Sequence, residues 1–307
     1  MRALADETMP AAPAAPRDQG PWRRFAAEFA ASRLALFGLA LLVSIALAAI
    51  AAPWIVPQNP YDLAQLDVLD SQLPPGSHSM SGKPYWLGTD DQGRDMLSAI
   101  LYGLRISLVV GVASTVAALA LGIAMGLAAA YLGGWVDAVI MRIADIQLSF
   151  PAILIALILL AAWGQGVGKI IVALVTVQWA YYARTVRSAA LVERQKEYVE
   201  AARVLALSPP RIVLRHLLPN CLPPLIVVAT VQVAHAISLE ATLSFLGLGL
   251  PVTEPSLGLL IANGFQYMLS GKYWISFYPG VALLATIMAI NLVADQLRDI
   301  LNPRLKR

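Results

Sequence analysis

One cysteine, Cys221, and three histidines, His78, His216 and His235, are all that 307 residues offer of the usual redox- and metal-active side chains. A lone cysteine excludes an internal disulfide and any cysteine-based zinc cage. Histidines this scattered have no metal-ligand spacing. Charge is scarce too, at 13% of residues against about 25% in an ordinary soluble domain. No G-x-x-x-x-G-K-[ST] string is present to cradle a nucleotide phosphate. The nearest, GQGVGKI at 164–170, has wrongly spaced glycines and Ile170 where a magnesium-binding hydroxyl belongs. There is no HExxH pair and no G-x-S-x-G nucleophile elbow. The expectation is a chain that performs no covalent chemistry and holds no cofactor or metal of its own.

What the chain has is apolar length. Apolar residues make up 58% of it. A membrane-crossing helix needs roughly twenty of them, because the hydrocarbon core is ~30 Å thick and a helix rises ~1.5 Å per residue. Six stretches qualify, at about 34–52, 106–132, 139–162, 170–190, 222–248 and 277–297. In the third, Pro151 is expected to kink the helix unless Ser149 or a neighbour takes the freed carbonyl. In the second, Gly122 and Gly126 have the small-xxx-small spacing that lets another helix approach closely. Residues 1–21 are Ala- and Pro-rich without an apolar run and are expected to be a disordered cytosolic tail.

Orientation follows from the basic residues. Threaded through six spans, every Lys and Arg falls on one side except Lys83, Arg94, Arg105, Lys169 and Lys272. Both termini are then cytosolic. Basic residues at the ends of apolar runs suit an anionic membrane surface, and not nucleic acid, which wants them clustered on one face. The outside carries an acidic loop at 53–97 and a second at about 250–276, which ends in the aromatic YWISFY. Inside the spans, Glu240 with His235 and Gln232 upstream are the polar residues that could mark a pore. Polar groups there are costly and tend to face a path or a helix interface. His235 and Glu240 are five residues apart, about 140° around a helix, so a direct pair is not expected; Glu240 is expected at a helix interface. Asp145 and Asp295 lie near the cytosolic ends, where pairing with arginine or water is expected.

The segment EYVEAARVLALSPPRIVLRHLLPN, 197–220, interrupts this apolar chain. Val199, Ala202 and Leu205 recur at helical spacing, with Lys196, Glu200 and Arg203 on another face. Ser208 before Pro209 reads as an N-cap with proline at the first helical position. Ile212, Val213 and Leu217 give the second helix an apolar face opposite Arg211 and Arg215, and Pro219 is expected to end it. A membrane-surface helix would suit the arginines, but a broken pair of helices fits a protein groove better.

Residues 200–220 resemble the EAA loop of ABC-importer permeases. Glu200, Ala201 and Ala202 match its start, and Leu218 and Pro219 its end. LGTDDQGRDMLSAILYGLRISL (87–108), YLGGWVDAVIMRIADIQLSFP (131–151), LSFLGLGLPVTEPSLG (243–258) and INLVADQLRDILNPRLK (290–306) resemble the C-type permease of dipeptide/oligopeptide importers, with the nickel importers as a sister group.

The resemblance implies an all-α type I importer permease domain over 22–307, set in a bacterial inner membrane. Such a chain would form half of a pore for short peptides. A B-type permease completes the heterodimer, a solute-binding protein docks outside, and two ABC ATPases, which hold ATP and magnesium, bind inside. The coupling loop, 191–220, would enter an ATPase groove through Glu200, Ala201, Ala202, Arg203, Leu205, Ala206, Ser208, Pro209, Arg211, Arg215, His216, Leu218 and Pro219. Two positions depart from the pattern. His216 stands where an apolar residue is usual, and Ala206 where glycine is. Because alanine resists the left-handed turn, the first helix is expected to run past Ala206 and turn at Leu207 and Ser208. A metal-chelate permease and a stand-alone ion-coupled carrier are the other readings open at this point.

Overall fold

In a membrane interior the apolar runs can only be helices, which satisfy their own backbone polar groups. The computed structural model describes residues 20–79 and 82–301. It is all-α; its only sheet among these residues is a two-stranded antiparallel ribbon, β1 (Ser77–His78) with β2 (Pro84–Tyr85). Of the tail expected at 1–21, residues 1–19 lie outside the described residues.

The helices are α1 (Pro21–Ala30), α2 (Arg33–Ile55), α3 (Met96–Leu132), α4 (Gly134–Ser149), α5 (Ala152–Trp163) and α6 (Val167–Glu193). They continue with α7 (Glu197–Val204), α8 (Pro209–Ile212), α9 (Leu218–Phe245), α10 (Leu257–Phe265) and α11 (Trp274–Leu301). By length and composition α2, α3, the run Pro209–Phe245 and α11 can each cross a bilayer, and α4 with α5 adds a fifth if the bent pair is counted as one span and not as a re-entrant loop. The fourth expected stretch, about 170–190, lies within α6, whose 27 residues are long enough but are diluted by Lys169, Gln178 and Arg184.

The bend between α4 and α5 is 92° and falls at Pro151, as its missing N–H requires. Ser149 does not take the freed carbonyl. Its Oγ donates to Asp145 O at 2.7 Å, and Gln147 O is satisfied by the Phe150 N–H at 3.3 Å. Gln147 also crosses to α6: the Trp179 Nε1–H donates to Gln147 Oε1 at 2.6 Å and Gln147 Nε2 to Val177 O at 3.0 Å.

The α3–α6 contact forms a seam through the bundle. A Cβ on Gly122 would lie 2.4 Å from Tyr182 Cβ, and one on Gly126 2.5 Å from Ala183 O. The paired small residues therefore serve helix packing, with α6 as the partner. Short α10, too small to cross, wedges between α3, α9 and α11. Gly258 sits against the Ala241 backbone and Gly264 against that of Ile275 and Ser276.

The two non-helical loops at one end dock on each other. Arg94 and Asp90, both fully buried, pair at 2.6 Å, and Arg94 Nη1 reaches Val252 O at 3.2 Å. Trp274 Nε1 donates to Thr89 O at 3.1 Å, and Lys272 pairs with Gln72. Asp95 caps α3 by accepting from Ser98 N and Oγ at 2.8 and 2.5 Å. Charge pairs also tie α4 to α6: Arg187 grips Asp137 with two bonds of 2.5 and 2.6 Å, and Arg184 pairs with Asp145. Asp295 is exposed.

Candidate functional site

At the other, arginine-rich end, the chain leaves α6 and folds α7 and α8 beneath the bundle. α7 starts with Glu197 and Glu200 in its first turn and ends with Arg203 in its last, the order that suits the helix dipole. It stops at Val204. Ala206 adopts φ 54°, so the first helix does not run past it and the turn does not shift to Leu207–Ser208. The Ala206 N–H donates to Arg203 O at 2.9 Å and the Leu207 N–H to Ala202 O at 3.1 Å. These are the two bonds of a Schellman cap, which is completed by Leu207 packing with Ala202. Two satisfied carbonyls and an apolar contact outweigh the ~1–2 kcal/mol that a left-handed alanine costs.

α8 begins at Ser208 and Pro209 as the sequence suggests. The Ser208 side chain makes no cap bond; its carbonyl accepts from Arg211 and Ile212 N–H at 2.9 and 3.1 Å. Pro219 does not end this second helix. A π-helical turn, Val213–Leu217, carries the chain from α8 into α9, with the Leu218 N–H bonded to Val213 O. Pro219 would orphan a carbonyl and press its ring on the turn before. Widening that turn by one residue removes the conflict, and Pro219 falls in the first turn of α9, where no N–H is needed.

The inner face of the pair is an apolar cluster of Val199, Ala202, Ile212 and Leu217, packed with Tyr131 of α3 and Tyr198. Polar ties fix it to three long helices. Arg194 Nη1 donates to Ala130 O of α3 at 2.8 Å, Tyr198 OH to Glu193 Oε2 of α6 at 2.7 Å, and Asn220 Nδ2 of α9 to Tyr198 OH at 3.2 Å. Burial first, then the Glu193 carboxylate, pushes the Tyr198 hydroxyl up to about 12, so it stays a donor at any physiological pH.

The outer face is of a different kind. Val204, Leu205 and Leu214 are 85%, 73% and 61% exposed. Around them Glu200, Ala201, Arg203, Ala206, Ser208, Pro209, Arg211 and Arg215 are exposed as well. His216 and Leu218 are half-buried and Pro219 is exposed at the junction with α9. This is a rigid knob with an uncovered apolar centre and a basic rim.

The polar residues of the spans separate. Glu240 is fully buried, accepting from Ser107 Oγ of α3 at 3.0 Å and from Ser244 Oγ at 2.8 Å, so it pins a helix interface. Gln232 is buried with Nε2 unpartnered. His235 lies on the exposed surface of α9, away from Glu240. Ser244 was legible as the residue four after Glu240; nothing in the sequence pointed to Ser107.

Residues 118–307 match the family described as binding-protein-dependent transport system inner membrane component, and residues 20–75 match the N-terminal TM domain of oligopeptide transport permease C. The di/tripeptide transport system permease protein DppC of Pseudomonas aeruginosa is 37% identical over 287 residues, 93% of each chain. The dipeptide transport system permease protein DppC of Haemophilus influenzae is 36% identical, over 94% of this chain and 96% of its own. Among solved structures, a chain of the MetNI methionine ABC transporter in inward facing conformations superposes with a TM-score of 0.54 at 22% identity. That match covers 67% of this chain and 97% of the other. Matched over most of its length, the chain belongs to the family of binding-protein-dependent transport system inner membrane components, the membrane-embedded permease subunits of ABC importers.

Proposed function

We propose that this chain is one of two unlike permease subunits whose shared pore imports short peptides, driven by ATP hydrolysis on partner subunits. The observation that carries the reading is the α7–α8 knob, an element bonded to α3, α6 and α9 at once and with an exposed apolar centre. An ATPase groove that grips Val204, Leu205 and Leu214 moves three long helices as one body. ATP and magnesium belong to that partner, which accounts for the missing phosphate loop. The peptide cargo is supported by relatives named for dipeptide and di/tripeptide transport. The basic end faces the cytosol of a bacterial inner membrane, and the docked loops face a solute-binding protein outside.

The test replaces surface residues only. Leu205→Asp combined with Arg211→Glu reverses the chemistry of the outer face without touching its core. The expected result is a folded complex from which the ATPase no longer co-elutes and which no longer takes up peptide. Co-elution and uptake at parental levels would remove the coupling role. Uptake by the chain alone, without any ATPase, would instead make it an ion-coupled carrier.

A further inference from the structure

One face of α9 carries a row of polar side chains interrupted by two valines. Taken at 100° per residue, Asn220, Val227, Val231, His235, Ser238 and Thr242 fall within about 80° of one another. Each is exposed or half-buried. The other side of the helix (Cys221, Leu225, Ile237, Glu240, Ser244) is packed away. Two cavities open on this one face. At the arginine-rich end a groove of about 960 Å³ runs between α6, α9 and the last turn of α11, lined by Arg184, Ser188, Asn220, Val227 and Arg298 among others. Further along, His235, Ser238 and Thr242 line a second, of about 340 Å³, facing Ala152 and Ile153 of α5.

A polar side chain exposed in the middle of a span is costly against lipid and faces a water-filled path instead. From this stripe we infer that α9 turns His235, Ser238 and Thr242 to the translocation path as hydrogen-bonding groups for the passing solute, and that the larger groove is the vestibule at its cytosolic end. The inference rests on the pore reading above and assigns residues to it.

The chemistry selects a cargo class. Ser238 Oγ donates to Ala234 O at 2.9 Å and Thr242 Oγ1 to Ser238 O at 2.8 Å. Their hydrogens are thus turned into the helix, and oxygen lone pairs are left for donors in the path. The His235 ring offers one donor and one acceptor when neutral. No carboxylate and no Lys or Arg lies on the stripe from Val227 to Thr242. Such a surface replaces water around main-chain N–H and C=O groups without selecting on side-chain charge, which fits peptides of varied sequence.

Cysteine labelling in the assembled, ATP-dependent complex tests this. Cys221 is fully buried, which keeps background labelling low. His235→Cys, Ser238→Cys and Thr242→Cys are treated with a membrane-impermeant cationic methanethiosulfonate, beside Leu47→Cys on the 61% exposed face of α2 and Ile237→Cys in the packed face of α9. The expected result is labelling at 235, 238 and 242 with loss of peptide uptake, and slow labelling at both controls. Labelling at the three positions no faster than at Leu47→Cys overturns the inference, as does a stripe sealed by the second permease and unlabelled in every nucleotide state. ATPase co-elution and uptake in the parent complex and in Leu47→Cys before labelling report on the importer reading separately. For a variant that fails to assemble, His235→Leu against His235→Asn supplies the second measurement. Uptake lost in the first and kept in the second supports the assignment, and equal uptake in both removes it.

Discussion

Alanine at 206 holds a backbone shape that glycine holds more cheaply, and it holds it because its neighbours are bonded in place. Ala206→Gly is therefore expected to stabilise the complex by about 0.5–1 kcal/mol, the left-handed penalty less the extra freedom of glycine in the unfolded chain. Ala206→Val is expected to destabilise it. Thermal unfolding of the purified complex checks both, and a lower midpoint for Ala206→Gly would contradict the Schellman geometry. At the other end of the molecule, burial pushes the Asp91 and Asp95 carboxyls above the usual range; for Asp91 the neighbouring Asp90 adds to the effect. A carboxyl whose folded pKa is raised binds more protons folded than unfolded, so its contribution to stability falls as pH rises through the raised value. This is the reverse of a salt-bridged carboxylate. Asp95→Asn keeps an acceptor for Ser98 and is expected to flatten that slope in melts taken upward from the ordinary carboxyl range. Asp95→Ala loses the N-cap and is expected to cost about 0.5–2 kcal/mol. Identical pH profiles for parent and Asp95→Asn would show that Asp95 does not titrate there.

Elements show where local pattern suffices and where it does not. The positions of the long helices follow from apolar runs, and the α4–α5 break from Pro151. The close approach at Gly122 and Gly126 was legible as spacing, but that α6 is what approaches was not, since no one-dimensional signal pairs Gly122 with Tyr182. Gly122→Leu drives a side chain into Tyr182 Cβ and the Trp179 carbonyl, 2.4 and 2.8 Å from the ideal Cβ. Overpacking of this kind costs about 1–3 kcal/mol or more. Gly168→Ala, in the partner helix α6 and with nothing within 4 Å, serves as control. The expectation is a lower detergent melting point for the first and none for the second. Equal melting points would mean the seam can open at no cost. The α8–π–α9 run makes the opposite point: a proline taken as a helix end is absorbed where the turn before it can widen.

Across the whole molecule, α3 is the connecting rod. Its 37 residues span about 55 Å. One end is capped within the docked loops by Asp95, and the other carries Ala130 and Tyr131, on which the knob is seated. A partner docking on the loops and an ATPase gripping the knob would therefore act on one rigid element. The orientation this requires is testable with thiols. His78→Cys, on the exposed ribbon, is expected to react with an impermeant reagent in intact cells, and Arg203→Cys only after permeabilisation. Reaction of Arg203→Cys in intact cells would invert the topology.

By itself the sequence determined what depends on composition and on neighbours in the chain: helical spans, the uneven placement of Lys and Arg, the Pro151 break, the amphipathic interruption at 197–220. Apolar burial and backbone bonding within one helix are local, so one dimension carries them. Only the tertiary structure decided the rest. It set Arg94 against Val252, 158 residues away, and Ser107 against Glu240, 133 away. It also fixed the left-handed Ala206, whose cost is local while part of what offsets it, the apolar cluster under α7 and α8, is closed by Tyr131 brought in from α3.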